Sequence, residues 1–122
     1  MKNKQLLGKS GEEIAANYLL KKGYNILFRN YHSQFGEIDI IALDKDTLAF
    51  IEVKTRTSNF DAAFSSVSFS KQQKLTKTAL DFLSKNYKYE DFLTRFDVIV
   101  VLFDQREEYR IKHLVDAFLP DY

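Results

Sequence analysis

Four ionisable side chains, Glu37, Asp39, Glu52 and Lys54, interrupt the otherwise apolar stretch GEIDIIALDKDTLAFIEVK at residues 36–54. Side chains alternate along a strand, so Glu37, Asp39, Ile41 and Leu43 share one face of one strand. Leu48, Phe50, Glu52 and Lys54 share one face of the next. A hairpin that turns at Lys45-Asp46 pairs residues whose numbers sum to 91, which sets Asp39 opposite Glu52 and Glu37 opposite Lys54. All four charges then gather on one face, whereas a slip of one residue would scatter them. Opposed side chains have Cβ atoms ~5 Å apart, and two carboxylates at that distance repel by about 3 kcal/mol at an effective dielectric near 20. A hard divalent cation, which collects carboxylate and carbonyl oxygens, would offset that repulsion. The plainer reading is a solvated face of a one-sided sheet, with Glu37 and Lys54 as a surface pair. The alignment of two acids with a lysine two residues on favours the cation site.

The elements that must hold these residues follow from periodicity. Residues 10–22, SGEEIAANYLLKK, predict a helix with Ile14, Ala15, Tyr18 and Leu19 on its apolar stripe. Ser10 and Glu13 have capping-box spacing, and Gly23 ends the helix. Strands are predicted at 24–29, 37–43, 47–54, 96–103 and 108–113. The run FDVIVVLF is apolar enough to be buried on both faces, and EYRIKH alternates like an edge strand. Residues 70–86 predict a second helix with Leu75, Ala79, Phe82 and Leu83 inward. NYHSQFG reads as a loop, and so does 55–70, about 16 residues that are long for a compact domain. The order α–β–β–β–α–β–β predicts an α/β sandwich with a central mixed sheet, a single domain over residues 1–122.

Composition narrows the function classes. The chain is 45% hydrophobic and 29% charged, ordinary for a soluble globular protein. With no cysteine, disulfides and thiolate metal sites are excluded. MKNKQLLGKSGEE lacks the apolar core of a signal peptide, and no run approaches the ~18 residues of a membrane span, so the expected compartment is the cytoplasm. Net charge is only +1, but residues 52–85 carry 6 basic against 3 acidic side chains. A polyanion would be met there, in the middle of the chain.

Asp39, followed thirteen residues later by Glu52-Val53-Lys54, resembles the acid…(D/E)xK arrangement of PD-(D/E)xK nucleases. GEEIAANYLLKKGYNIL, GEIDIIA, FIEVKTR, SKQQKL and RFDVIVV together resemble the YraN-type bacterial family over nearly the whole chain. That family is related by fold to archaeal Holliday-junction resolvases. The resemblance implies a restriction-endonuclease-like fold, with Asp39 and Glu52 as metal-binding acids and Lys54 as the motif lysine. It also implies the Val53 carbonyl as a further ligand and Glu12 as the first-helix glutamate of the site. Position agrees for Glu12: if Ser10 caps the helix, Glu13 is taken up by the cap and Glu12 borders the apolar stripe on the Leu19 side. Ile38 stands where the motif's name has Pro, as in many members of the superfamily.

The implied chemistry is hydrolysis of DNA phosphodiester bonds with Mg2+, or Mn2+ as a substitute, on DNA that includes branched forms. Lys54 would orient water or stabilise developing negative charge; as a base it would need a pKa that neighbouring carboxylates push the wrong way. Paired cuts at a junction would call for a homodimer. The rival reading is a catalytically weak module that keeps the fold to bind nucleic acid or a partner.

Gln72 falls on the inward side of the second helix, where it either touches the metal water or phosphate or serves as a buried cap. Arg56, Lys71 and Lys74 are candidate phosphate contacts, against the alternative of solvated surface charge. Tyr31 and Phe35 precede the site and either pack in the core or stack on a base. Glu37 is a supporting partner of the acids, Asp97 a structural acid at a strand start, and His32 and His113 lack ligand spacing.

Overall fold

The computed structural model describes residues 4–57, 67–106 and 108–119. Helix α1 (Lys4–Lys21) is followed by strands β1 (Asn25–Ser33), β2 (Gly36–Asp44) and β3 (Thr47–Arg56). Helix α2 (Phe69–Lys85), a 3-10 turn at Tyr87–Tyr89, and strands β4 (Leu93–Phe103) and β5 (Tyr109–Phe118) complete the described chain. The strands form one five-stranded sheet in the order β1-β2-β3-β4-β5. Only β3 and β4 run parallel, so the sheet is mixed. The element order is the one the periodicity predicts, and β5 is an edge strand. None of the described helices is long and apolar enough to cross a membrane.

Alternation along β3 and β4 divides the core between the two helices. Leu48, Phe50, Val98 and Val100 pack with Leu75, Ala79 and Phe82 of α2. Ala49, Ile51, Ile99 and Val101 pack with Ala15, Ala16 and Leu19 of α1 on the other face. The α2 side is aromatic: Phe82 lies 5.4 Å from the rings of both Phe28 and Tyr31 and 5.9 Å from Tyr89. The α1 side is largely aliphatic and mixes in alanines, Ala15 and Ala16 on the helix and Ala42 paired to Ala49 on the sheet. Thr76 and Thr78 are buried on α2 with their hydroxyls satisfied, each donating to the carbonyl one turn back at 2.9 Å.

The two-residue turn at Lys45-Asp46 forms, with Lys45 in the left-handed region at φ 58°. The register has the expected sum, from Asp44 opposite Thr47 to Ile40 opposite Ile51. Three expectations fail locally. Helix α1 begins at Lys4, so Ser10 and Glu13 lie within it and no capping box forms there. Strand β1 runs to Ser33 and takes in half of the expected NYHSQFG loop. Strand β5 runs five residues past its predicted end, through a kink at Asp116 (φ 56°). The centre of the loop expected over 55–70 lies outside the described residues.

Candidate metal centre

The site opens where the β2–β3 ladder stops. Beyond Ile40–Ile51 the strands part, and Asp39 Oδ2 accepts a hydrogen bond from the Val53 backbone N–H at 2.8 Å. The carboxylate thus takes the place of a ladder carbonyl. Ile38 and Ile41, three residues apart, both pack toward α2, while Ile40 packs toward α1. Strict alternation is therefore broken at Asp39, and the four charges do not line up as consecutive opposed pairs.

The break has a partner on β1. The pairs Arg29–Ile40 and Tyr31–Ile38 flank Asn30, which lies level with Asp39 and has φ 55°. Asparagine tolerates that left-handed conformation better than most residues. With its amide nitrogen turned toward the acids, Asn30 donates to Glu12 Oε1 and Glu37 Oε1, each at 3.0 Å. The expected Glu37–Lys54 opposition does not form. Glu37 instead meets Asn30 and lies 3.8 Å from His32 Nδ1.

Lys54 Nζ lies 3.5 Å from Glu52 Oε1, and Lys71 Nζ approaches the same oxygen at 3.4 Å. Glu52 is 6% exposed, so both ammonium groups reach it from the rim of the core. Helix α1 brings Glu12 in through Gly11, which is buried with its backbone against Thr55; a Cβ there would lie 3.1 Å from Thr55 Cβ and overlap Oγ1 outright. Glu13 does turn away from the site, but Arg29 holds it there, at 2.7 Å, rather than a cap.

The electrostatics follow from this crowding. Burial pushes the Asp39 carboxyl up to about 7, Glu52 adds to the rise, and the Val53 N–H only partly opposes it. Glu12 is also raised, first by burial and then by Glu37, with Arg29 pulling the other way. Four acids therefore share one field. Among the described residues no three acidic or histidine side chains converge into a ready-made cage. Mg2+ does not need one: it commonly takes one or two carboxylates and fills its shell with water and substrate oxygens. Asp39 and Glu52 are the carboxylates that could serve as such a pair, and both lysines meet Oε1 of Glu52.

The remaining candidates separate. Gln72 Nε2 donates to the Val67 carbonyl at 3.1 Å, so its amide ties the start of α2 to the chain before it. Arg56 folds back onto the Thr55 carbonyl at 2.8 Å. Lys74 is exposed beside Gly36. Tyr31 donates to Asp81 Oδ2 at 2.6 Å and packs on Phe82, whereas Phe35 is left 39% exposed.

A second polar cluster went undetected in the sequence. Asp97 accepts from Arg95 Nε at 3.0 Å and from the Asp116 N–H at 3.0 Å, and His113 Nε2 lies 2.8 Å from it. Arg95 continues to Tyr24 at 2.7 Å and Asp44 at 3.2 Å, and His113 Nδ1 meets the Tyr18 hydroxyl at 3.2 Å. The structural role expected for Asp97 is thus met, and His113 acquires one. Asn30 carried the only usable sequence signal: an asparagine just before the charged stretch, at home in a left-handed kink.

Residues 11–101 match the family described as "Uncharacterised protein family UPF0102". The chain belongs to that family. It is 43% identical over 119 residues to a UPF0102 protein of Caldanaerobacter subterraneus, covering 95% of this chain and 97% of that one. A Clostridium tetani UPF0102 protein is 45% identical over 118 residues, 95% of each chain. One from Thermodesulfovibrio yellowstonii is 46% identical over 113 residues, 92% of this chain and 95% of its own. The UPF0102 match takes in the carboxylate site from Gly11 to Gln72 and stops before β5, so His113 lies outside it. The YraN-type resemblance read from the sequence is this family.

Proposed function

We propose that this chain is a Mg2+-dependent endonuclease of restriction-endonuclease-like fold, in the PD-(D/E)xK superfamily, that hydrolyses DNA phosphodiester bonds, including those of branched DNA. The observation that carries the reading is Asp39, a carboxylate crowded against Glu52 with its pKa pushed up to about 7 by burial first and Glu52 second. Perturbed acids of this kind collect where a protein binds cations or does chemistry. Asp39 and Glu52 would hold the ion, and the Val53 carbonyl adds a ligand by resemblance. When bound, the ion polarises a phosphoryl oxygen and makes its water more acidic.

The chain's own groups do the rest. The Val53 N–H orients Asp39. Lys54, 3.5 Å from Glu52, is positioned to stabilise negative charge that develops on the phosphate. Asn30 holds Glu12 at the margin, where it can take or orient a proton of water. DNA is the partner and the cytoplasm the compartment; cutting a junction symmetrically would use a homodimer, which light scattering would detect.

One observation favours the rival. Lys54 and Lys71 already neutralise Glu52 Oε1, so the cluster can stand as a binding surface without chemistry. The deciding experiment incubates purified protein with linear, single-stranded and four-way-junction DNA in Mg2+ and in Mn2+, beside Asp39→Ala and Lys54→Ala. Cleavage that both substitutions abolish supports the nuclease. Cleavage that persists in both, or DNA binding with a steep salt slope and no cleavage, removes it.

A further inference from the structure

We propose that Lys71, Lys74 and Lys77 form a phosphate-binding ridge along α2 that leads an unpaired nucleic-acid strand from the carboxylate site to the ring of Phe35, on which one base stacks. The proposal rests on the nuclease reading and names the form of nucleic acid the site receives.

Residues three apart adjoin on a helix, so the three lysines make an oblique row that winds about 120° around α2 while six residues span about 9 Å of axis. That is roughly three steps at the 3.4 Å rise of a duplex strand, and fewer for an extended one. The near end of the ridge is at the site, where Lys71 contacts Glu52. In the middle, the β1–β2 turn sits directly on the helix: a Cβ on Gly36 would lie 3.7 Å from Lys74 Cβ. At the far end, Lys77 Nζ lies 5.6 Å from the centroid of the Phe35 ring. Among the described residues, no ion pair joins Lys74 or Lys77 to a carboxylate.

Phe35 is placed rather than loose. Its backbone N–H donates to Ser33 Oγ at 3.0 Å, and that hydroxyl is bonded to Thr78 Oγ1 at 2.9 Å. The turn is thereby fastened to α2 while the ring stays 39% exposed. Tyr31, the other aromatic near the site, is committed to Asp81 and the core. A row of cations ending at a partly exposed aromatic ring, with Lys77 over one face, suits a strand with splayed bases, because stacking needs a base freed from its duplex. A duplex could use the lysines but not the ring.

The chain contains no tryptophan and seven tyrosines, so Phe35→Trp installs a single tryptophan at the proposed stack, excited at the red edge where tyrosine does not absorb. The variant is titrated with an oligothymidylate strand and with a blunt duplex, without divalent ion so that no cleavage occurs. The single strand should quench its emission saturably and the duplex should not. Tyr87→Trp, at a position 74% exposed beyond the end of α2, should be unaffected. Lys74→Gln and Lys77→Gln should each reduce the salt slope of single-strand binding by about 0.7. They should leave the Mg2+-induced rise in melting temperature unchanged. Equal quenching by duplex, no quenching while anisotropy shows the strand bound, or unaltered salt slopes in both lysine variants would overturn the ridge. If DNA cleavage survives such a result, the ridge falls alone. If the unsubstituted protein neither binds nor cuts any DNA, the nuclease reading falls with it.

Discussion

On β4, Asp97 is 1% exposed and is met by Arg95, His113 and the Asp116 N–H. On β2, Asp39 meets one backbone N–H and the charges of Glu52, Glu12 and Glu37. Burial raises the pKa of both. Around Asp97 the bonds from His113, Arg95 and Asp116 outweigh it and hold the carboxyl below its usual range. Around Asp39 nothing does, and it rises to about 7. One cluster balances its buried acid within the chain; in the other, the bond from the Val53 N–H does not offset burial and the charge of Glu52. The difference separates an acid that supports the fold from one that the fold supports at a cost.

That contrast can be broken by substitution. Asp97→Ala leaves the Arg95 guanidinium partly buried beside no acceptor at that position, and should destabilise the protein by about 3–5 kcal/mol in urea denaturation. Asp39→Asn should act in the opposite direction. It removes the repulsion while keeping an oxygen for the Val53 N–H. A rise of roughly three pKa units corresponds to about 4 kcal/mol at most, and relaxation of the site should leave about 2 kcal/mol of stabilisation at pH 8, a fraction of that near pH 5 and almost none below pH 4. If both substitutions shift stability the same way, the distinction between the clusters is wrong.

The pH profiles should carry the same signs. Asp39 binds its proton more tightly in the folded state, so its contribution is full below about pH 4 and is lost as pH rises toward 7. Asp97, with a lowered folded pKa, contributes fully above about pH 4, and loses that contribution as pH falls further. Denaturation across pH 3 to 9 should show both limbs, the upper one absent in Asp39→Asn and the lower one absent in Asp97→Asn. Mg2+ sharpens the comparison. At a fixed concentration ten times its dissociation constant at pH 8 it should stabilise the protein by about 1.4 kcal/mol there, and by less at pH 6 because it competes with the Asp39 proton. Calorimetric melting should show no such response in Asp39→Asn. The smallest effect belongs to the margin of the balanced cluster: Tyr18→Phe removes one hydroxyl from His113 and should cost about 0.5–1 kcal/mol.

These clusters differ as much in how they can be read from sequence. The β2–β3 register was legible because a two-residue turn at Lys45-Asp46 and alternating apolar residues leave a single parity that buries them. Asp39, Glu52 and Lys54 were therefore found at one end of one hairpin. Their detailed arrangement was not, since it depends on the left-handed Asn30 and the break at Asp39, and a single backbone dihedral leaves no periodicity. The capping signal at Ser10 misled for a related reason: a small residue beside Gly11 suits close helix–sheet packing as well as it suits a helix start. Asp97, Arg95 and His113 could not be joined in advance, because Tyr24, Asp44 and His113 come from three different strands or their edges.

Gly11 has a further use. With no side chain it acts as a spacer of zero thickness between α1 and β3 at Thr55, immediately before Glu12. A graded series at this position, alanine and then serine, would lift the helix in steps and withdraw Glu12 without altering any charge. Thr55→Ala, by removing the obstructing hydroxyl, should partly restore the gap. The distance of the first-helix acid from the other three thus becomes an adjustable dimension of the site, set by a residue that touches no ligand.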